Sequence, residues 1–137
     1  MKFNIKRLVE PEETDKSGLL KSDLFFAWLY NEIIRYATSI LESQCLIRHI
    51  SNVDIIHPVK KKDILEIDVN VKATGKTSIT LNVFVNDVKS RKTFLKVENV
   101  VLVSVDEDLK AREHNCVSVG NKFIPYPWTS MIDPRSK

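Results

Sequence analysis

Two periodicities divide this chain. Between Ser22 and about Ser43 there is no glycine or proline, and the apolar residues recur at helical spacing. On a wheel drawn at about 100° per residue, Phe25, Phe26, Leu29, Tyr30, Ile33, Ile34, Tyr36, Ala37, Ile40 and Leu41 fill roughly half the circumference. Asn31, Arg35, Thr38 and Glu42 take the other half, with Trp28 and Glu32 at the boundary. Ser22 or Asp23 is the expected N-cap. An apolar arc this wide predicts a helix embraced over much of its girth.

Elsewhere the period is two. Phe3, Ile5 and Val9 predict a short strand ending before Pro11, and the acidic, turn-prone run Pro11 to Gly18 predicts a loop in which Glu12 and Glu13 face solvent. After the helix, strands are expected over Cys45 to Pro58, Ile64 to Ala73, Thr77 to Val88 and Thr93 to Val105. In the second of these, Leu65, Ile67, Val69 and Val71 alternate with Ile64, Glu66, Asp68 and Asn70, as expected of a sheet with one wet face. Thr74-Gly75-Lys76 is short enough for a hairpin, and Lys89 to Lys92 make another turn. A strand, one helix and a meander of four long strands pack most economically when the sheet curls around the helix, so the expected class is α+β with about five antiparallel strands. Beyond about Ala111 the alternation lapses, and the aromatic cluster Phe123, Tyr126 and Trp128 is expected to dock on something.

The 137 residues suffice for one core and leave no room for a second domain: residues 1–137 are read as a single domain, with a core over about 3–113 and an irregular tail over 114–137. A net charge of +3 is too small a surplus to argue for nucleic acid by itself, and no nucleic-acid partner is expected. Cys45 and Cys116 make neither a disulfide framework nor a ligand set, which favours a reducing compartment. The charged start, Lys2 to Glu10, lacks the apolar run of a secretory signal, and no stretch approaches the roughly 20 apolar residues of a bilayer span. The expectation is a soluble cytoplasmic protein without membrane attachment. His49 and His114 have no partner at ligand spacing, His57 before Pro58 suits a strand end, and no metal is expected.

Four local phrases, in order along Arg7 to Glu113, resemble the hot-dog acyl-CoA thioesterases, including the 4-hydroxybenzoyl-CoA thioesterase group. They are Glu13-Thr14-Asp15-Lys16-Ser17-Gly18 with Trp28 thirteen residues after Asp15; Val53 to Asp63 with its Pro58-Val59 and Asp63; Gly75-Lys76-Thr77-Ser78; and Val103-Ser104-Val105-Asp106-Glu107-Asp108. The resemblance implies a hot-dog fold and hydrolysis of an acyl thioester of coenzyme A or acyl carrier protein, with no resident cofactor because coenzyme A is part of the substrate. The chain departs from relatives at Leu19-Leu20-Lys21-Ser22-Asp23, which lacks their paired glycines or Asn-rich turn. At Tyr30 one branch carries its catalytic aspartate, so that branch's mechanism does not transfer.

Asp15 matches the catalytic aspartate of the hydroxybenzoyl group, as nucleophile or as base to water. On residue pattern alone an Asp before Lys-Ser-Gly is a turn former. The backbone amides of Ser22, Asp23 and Leu24, unpaired at the helix start, suit a developing oxyanion. Glu32 is the rival carboxylate: burial at the arc boundary suits a general base, while Arg35 offers a plain ion pair. Asn31 beside it can orient water or face solvent. Lys60, Lys61 and Lys62 in one turn, and Lys89, Arg91 and Lys92 in another, are candidate anchors for coenzyme A phosphates or ordinary solvated turns. The leading alternative is a module that binds an acyl thioester without cleaving it. A hydratase is disfavoured, since no histidine lies between Lys16 and Gln44. The uncovered sheet edge predicts a homodimer or homotetramer with the active site between subunits.

Overall fold

The structure, a computed structural model, describes residues 5–114, 116–119 and 122–125. Strand β1 (Ile5–Leu8) leads through a 3-10 turn at Pro11–Glu13 to helix α1 (Ser22–Leu41). Four long strands follow, β2 (Cys45–Ile55), β3 (Ile64–Thr74), β4 (Ser78–Asp87) and β5 (Thr93–Ser104), and then a short hairpin, β6 (Cys116–Val119) with β7 (Lys122–Pro125). That hairpin gives the start of the tail more regularity than its composition predicts. The docking expected of Phe123, Tyr126 and Trp128 lies outside what is described.

The helix forms where the apolar stripe predicts it. Phe25, Leu29, Ile33, Tyr36, Ala37 and Leu41 are buried on one face, while Asn31 and Arg35 are exposed on the other. Its N-cap is Lys21 rather than Ser22 or Asp23, and no side chain caps it. The chain reaches the helix already pinned, with the Lys21 N–H donating to the Glu13 carbonyl at 3.0 Å, so a capping hydroxyl or carboxylate is not what sets the boundary. Glu42 ends the helix in the left-handed region at φ 51°, a position where a side chain costs about 1 kcal/mol.

The sheet is antiparallel throughout, in the order β1-β3-β4-β5-β2. The expected four-strand meander is therefore three strands long. β2 does not pair with its chain neighbour β3 but crosses to the far edge beside β5, while β1 takes the edge beside β3. The strand centres carry the core: Leu65, Ile67 and Val69, then Ile79, Leu81, Val83 and Val85, then Leu95, Val97, Val100 and Leu102 are all fully buried. Val97 and Val100 are both buried although three residues apart, because Asn99 at φ 51° makes a bulge and the register against β4 shifts between Leu81 and Val83. The Asn82 side chain accepts the Asn99 N–H at 3.0 Å. Further shifts fall at Ile47/His49 and Val71/Ala73. Bulges raise twist and bend strands, which is how this sheet curls around one helix. It stays open, and among the described residues β1 and β2 are its outer strands.

Candidate functional site

The loop between Thr14 and Leu20 is a small closed structure. The Asp15 N–H donates to the Leu19 carbonyl at 2.8 Å, and the Gly18 N–H donates to the Asp15 carbonyl at 3.0 Å. Thr14 and Leu20 pair as an isolated bridge, two residues before α1 begins. Gly18 sits at φ 78°, where a side chain is strained, so glycine suits this turn. Asp15 is exposed, and its Oδ1 accepts the N–H groups of Ser17 at 2.8 Å and Leu19 at 3.2 Å. The turn-forming role that residue pattern alone suggests is thus present, and the same bonds hold the carboxylate at the helix entry.

The loop is zipped to the β2–β3 turn. The Leu20 N–H donates to the Val59 carbonyl at 2.8 Å, the Lys61 N–H donates to the Gly18 carbonyl at 3.1 Å, and Leu19 pairs with Lys60. The register then brings the second basic turn to the same end of the sheet, for the Val88 N–H donates to the Ile64 carbonyl at 3.0 Å, while Ile64 pairs with Leu8. Lys60, Lys61 and Lys62 and Lys89, Arg91 and Lys92, all exposed, therefore share one end of the molecule with Asp15 and the start of α1. Within the second turn, the Ser90 hydroxyl bond, joined by the Ser90 and Lys89 N–H groups and the Lys92 charge, holds Asp87 below its usual range against the opposing effect of burial. Ser22, Asp23 and Leu24 are exposed at the helix start, and with no side-chain cap on Lys21 their amides are available to a ligand.

Glu32 and Asn31 lie elsewhere. Glu32 is ten residues into α1, about 15 Å along the axis from Ser22 at 1.5 Å per residue. Its Oε1 accepts from Arg35 at 3.2 Å, and its Oε2 is buried without a hydrogen-bond partner. Asn31 is exposed. Glu32 thus stands well along the helix from the Ser22, Asp23 and Leu24 amides, with Arg35 as its hydrogen-bond partner.

Arg7 is the site neighbour that the sequence reading missed. Opposite residues of an antiparallel pair project to one face, and Arg7 stands opposite buried Leu65, so it points to the helix side. Its guanidinium lies 5.5 Å from the Trp28 ring centroid and pairs with the Glu13 carboxylate. Glu13 is half-buried rather than solvent-facing. The Glu10 N–H bond and the Arg7 guanidinium outweigh burial and hold its carboxyl below the usual range. The signal was available: Arg7 interrupts the apolar alternation Phe3, Ile5, Val9. Of the histidines, His57 is exposed at the strand end with its N–H on the Phe94 carbonyl at 3.2 Å, and His114 is buried with its ring on the Ser78 carbonyl at 2.7 Å. Among the described residues no three His, Cys, Asp or Glu side chains gather as a metal site, and no helix is long and apolar enough to cross a membrane.

No family model matches the chain, and no curated protein matches it. Solved structures do. An apo hexameric acyl-CoA thioesterase is 24% identical over 82% of this chain and 74% of its own, with a TM-score of 0.73. An acyl-CoA hydrolase from Staphylococcus aureus, solved with butyryl coenzyme A, coenzyme A and coenzyme A disulfide, is 19% identical over 82% and 68%, with a TM-score of 0.74. A hexameric thioesterase from Yersinia pestis is 21% identical over 80% and 92%, with a TM-score of 0.72. One helix on an open five-stranded antiparallel sheet, superposing on these proteins over four-fifths of its length, is the hot-dog fold.

Proposed function

We propose that this protein hydrolyses acyl-CoA thioesters, with Asp15 as the reacting carboxylate and the amides of Ser22, Asp23 and Leu24 as the oxyanion donors. The observation that carries the reading is the convergence at one end of the sheet: a carboxylate loop fastened to the start of an uncapped helix, beside two lysine- and arginine-rich turns. In the reaction, either water adds to the thioester carbonyl, giving its proton to Asp15, or Asp15 adds to give a mixed anhydride that water then hydrolyses to restore the carboxylate; on either route the C–S bond breaks. The sulfur leaves as thiolate and takes up a proton, and the acyl group ends as the free acid. Each donor aimed at the oxyanion contributes about 3 kcal/mol to such a step. The Lys60–Lys62 and Lys89–Lys92 turns meet the phosphates of coenzyme A. Similarity in fold to acyl-CoA thioesterases supports the substrate class, and the hexamers among them support a homo-oligomer.

A second reading has its own support. The Asp15 Oδ1 is committed to two backbone N–H groups, a turn-holding role that suits a module that binds an acyl thioester without cleaving it. The two are separated by titrating released thiol over a panel of acyl-CoAs of different chain length, with wild type, Asp15→Asn and Glu32→Gln side by side. Hydrolysis that falls at least about a hundredfold in Asp15→Asn and stays within a few-fold in Glu32→Gln is the expected result. Tight binding with no thiol release from any acyl-CoA establishes the binding module instead.

A further inference from the structure

We infer that Arg7 is a positioning residue: from β1, through the Glu13 carboxylate and across the Trp28 ring, it holds the base of the Asp15 loop against the start of α1. It thereby sets the Asp15 carboxylate relative to the amides of Ser22, Asp23 and Leu24. The inference rests on the hydrolysis reading above and deepens it by naming a residue that acts through others.

The Asp15 loop hangs between Glu13 and Lys21. The Glu13 carbonyl accepts the Lys21 N–H at 3.0 Å, and Lys21, the N-cap of α1, offers its own carbonyl to the Phe25 N–H at 3.0 Å. Between them the Thr14–Leu20 bridge closes the loop that carries Asp15. A shift of Glu13 passes to Asp15 along two covalent links of chain but to the helix through one hydrogen bond, so carboxylate and helix start do not move together. The tip of the loop is fastened separately, by the Leu20 N–H on the Val59 carbonyl and the Lys61 N–H on the Gly18 carbonyl. Loss of the hold on Glu13 therefore displaces the loop without unfolding it.

Two groups grip the Glu13 carboxylate. The Glu10 N–H donates to its Oε1 at 3.0 Å, a bond inside the 3-10 turn that fixes the shape of the turn but not its place on the protein. Its Oε2 takes the Arg7 guanidinium, which also lies 5.5 Å from the Trp28 ring centroid. Both ends of that arm are anchored. Arg7 stands in the sheet opposite Leu65, and Trp28 stacks on buried Phe25 at 6.3 Å between ring centroids. A planar guanidinium can meet a carboxylate with its edge and a ring with its face, two contacts that the point charge of a lysine does not combine. The Arg7 and Glu13 side chains are 32% and 17% exposed, so solvent and salt screen this pair less than one on the open surface. Arg7 thus ties turn, sheet and helix together beside the candidate site.

The test reads position with substrate and without it. Thiol release from acyl-CoAs is measured for Arg7→Met, which keeps a stem on Trp28 and removes the fork, for Glu13→Gln, for the two combined, and for Lys6→Met, whose side chain leaves the same strand on the opposite face beside Glu66. A misplacement of about 1 Å at a reacting group costs on the order of a hundredfold. In Arg7→Met, kcat is therefore expected to fall at least about tenfold with KM within about threefold, because the lysine- and arginine-rich turns are untouched. The combined variant is expected to lose about as much as the worse single one, since the two residues act through each other, and Lys6→Met to stay within about twofold of wild type. Without substrate, hydrogen exchange followed by mass spectrometry is expected to quicken at least about tenfold over Glu13 to Leu24 in Arg7→Met, and less than that over β4. Unchanged exchange over Glu13 to Leu24 overturns the inference, as does an equal rise over β4, which makes Arg7 a general stabiliser of the fold. A kcat within about twofold of wild type in Arg7→Met also overturns it. A wild-type protein that releases no thiol from any acyl-CoA sinks the hydrolysis reading alone, and the exchange measurement then decides whether Arg7 holds the loop.

Discussion

Replacing Glu32 by leucine should make this protein more stable. The carboxylate is only 9% exposed, and its Oε2 is buried with nothing to bond to. Leaving such an oxygen dry costs on the order of 1–3 kcal/mol. Against this, the substitution gives up one bond from Arg35, whose side chain is 69% exposed, so the pair contributes only about 0.3–0.5 kcal/mol. Leucine has the volume to fill the space and joins the stripe of Leu29, Ile33 and Tyr36 without a polar atom. The balance is a gain of about 1–2 kcal/mol, which for a chain of this length raises Tm by roughly 3–8 °C. Urea denaturation followed by far-UV circular dichroism, at one fixed protein concentration because an oligomer's midpoint depends on it, measures the difference directly. A Glu32→Leu protein with a midpoint below wild type at an unchanged m-value refutes the reasoning, and means that Glu32 is satisfied by a group outside its own protomer.

Three further outcomes follow from the same geometry. Gly18→Ala should cost about 1 kcal/mol in the urea midpoint, since a Cβ there meets no atom within 4 Å and the whole penalty comes from φ 78°. Glu13 and Asp87 both have carboxyls held below their usual values of 4.5 and 3.8, so the stability they contribute is present above those values and is lost as pH falls through their lowered folded-state values; Glu13→Gln should flatten the fall in urea midpoint between about pH 5 and 3, and an unchanged slope counts against the hold that the Glu10 N–H and the Arg7 guanidinium together exert on Glu13. The Cys45 thiol is pushed up to about 11 by burial, although the Thr38 side chain opposes this, so at pH 8 native protein should leave Cys45 unmodified by iodoacetamide and label it only in denaturant, as peptide mass spectrometry reads.

The helix and the four long strands were legible because each is a local signal. The stripe through Phe25, Leu29 and Ile33 has the helical period, and Leu65, Ile67 and Val69 have the strand period, whatever lies across from them. The Asp15 loop was equally readable, since an Asp before Lys-Ser-Gly forms its own turn. The helix begins at Ser22 as expected, but its N-cap is Lys21 rather than Ser22 or Asp23, because the pin there is made by the Glu13 carbonyl eight residues away.

What the sequence by itself determined is which residues turn inward and where the chain reverses: period, turn chemistry and the glycine at 18 are written in neighbouring residues. Which strand lies beside which was decided only in the tertiary structure. Alternation says that β2 has two faces, not that its hydrogen bonds go to β5 rather than to β3. That choice appears only in the closed sheet, in the order β1-β3-β4-β5-β2. It also joins the Asp15 loop to Lys60–Lys62 and Lys89–Lys92, turns Arg7 under Glu13 and over Trp28, and keeps Glu32 about 15 Å along the helix from its start. Burial is a property of one position and can be read along a chain, whereas pairing is a relation between distant positions and appears only when the chain has closed on itself.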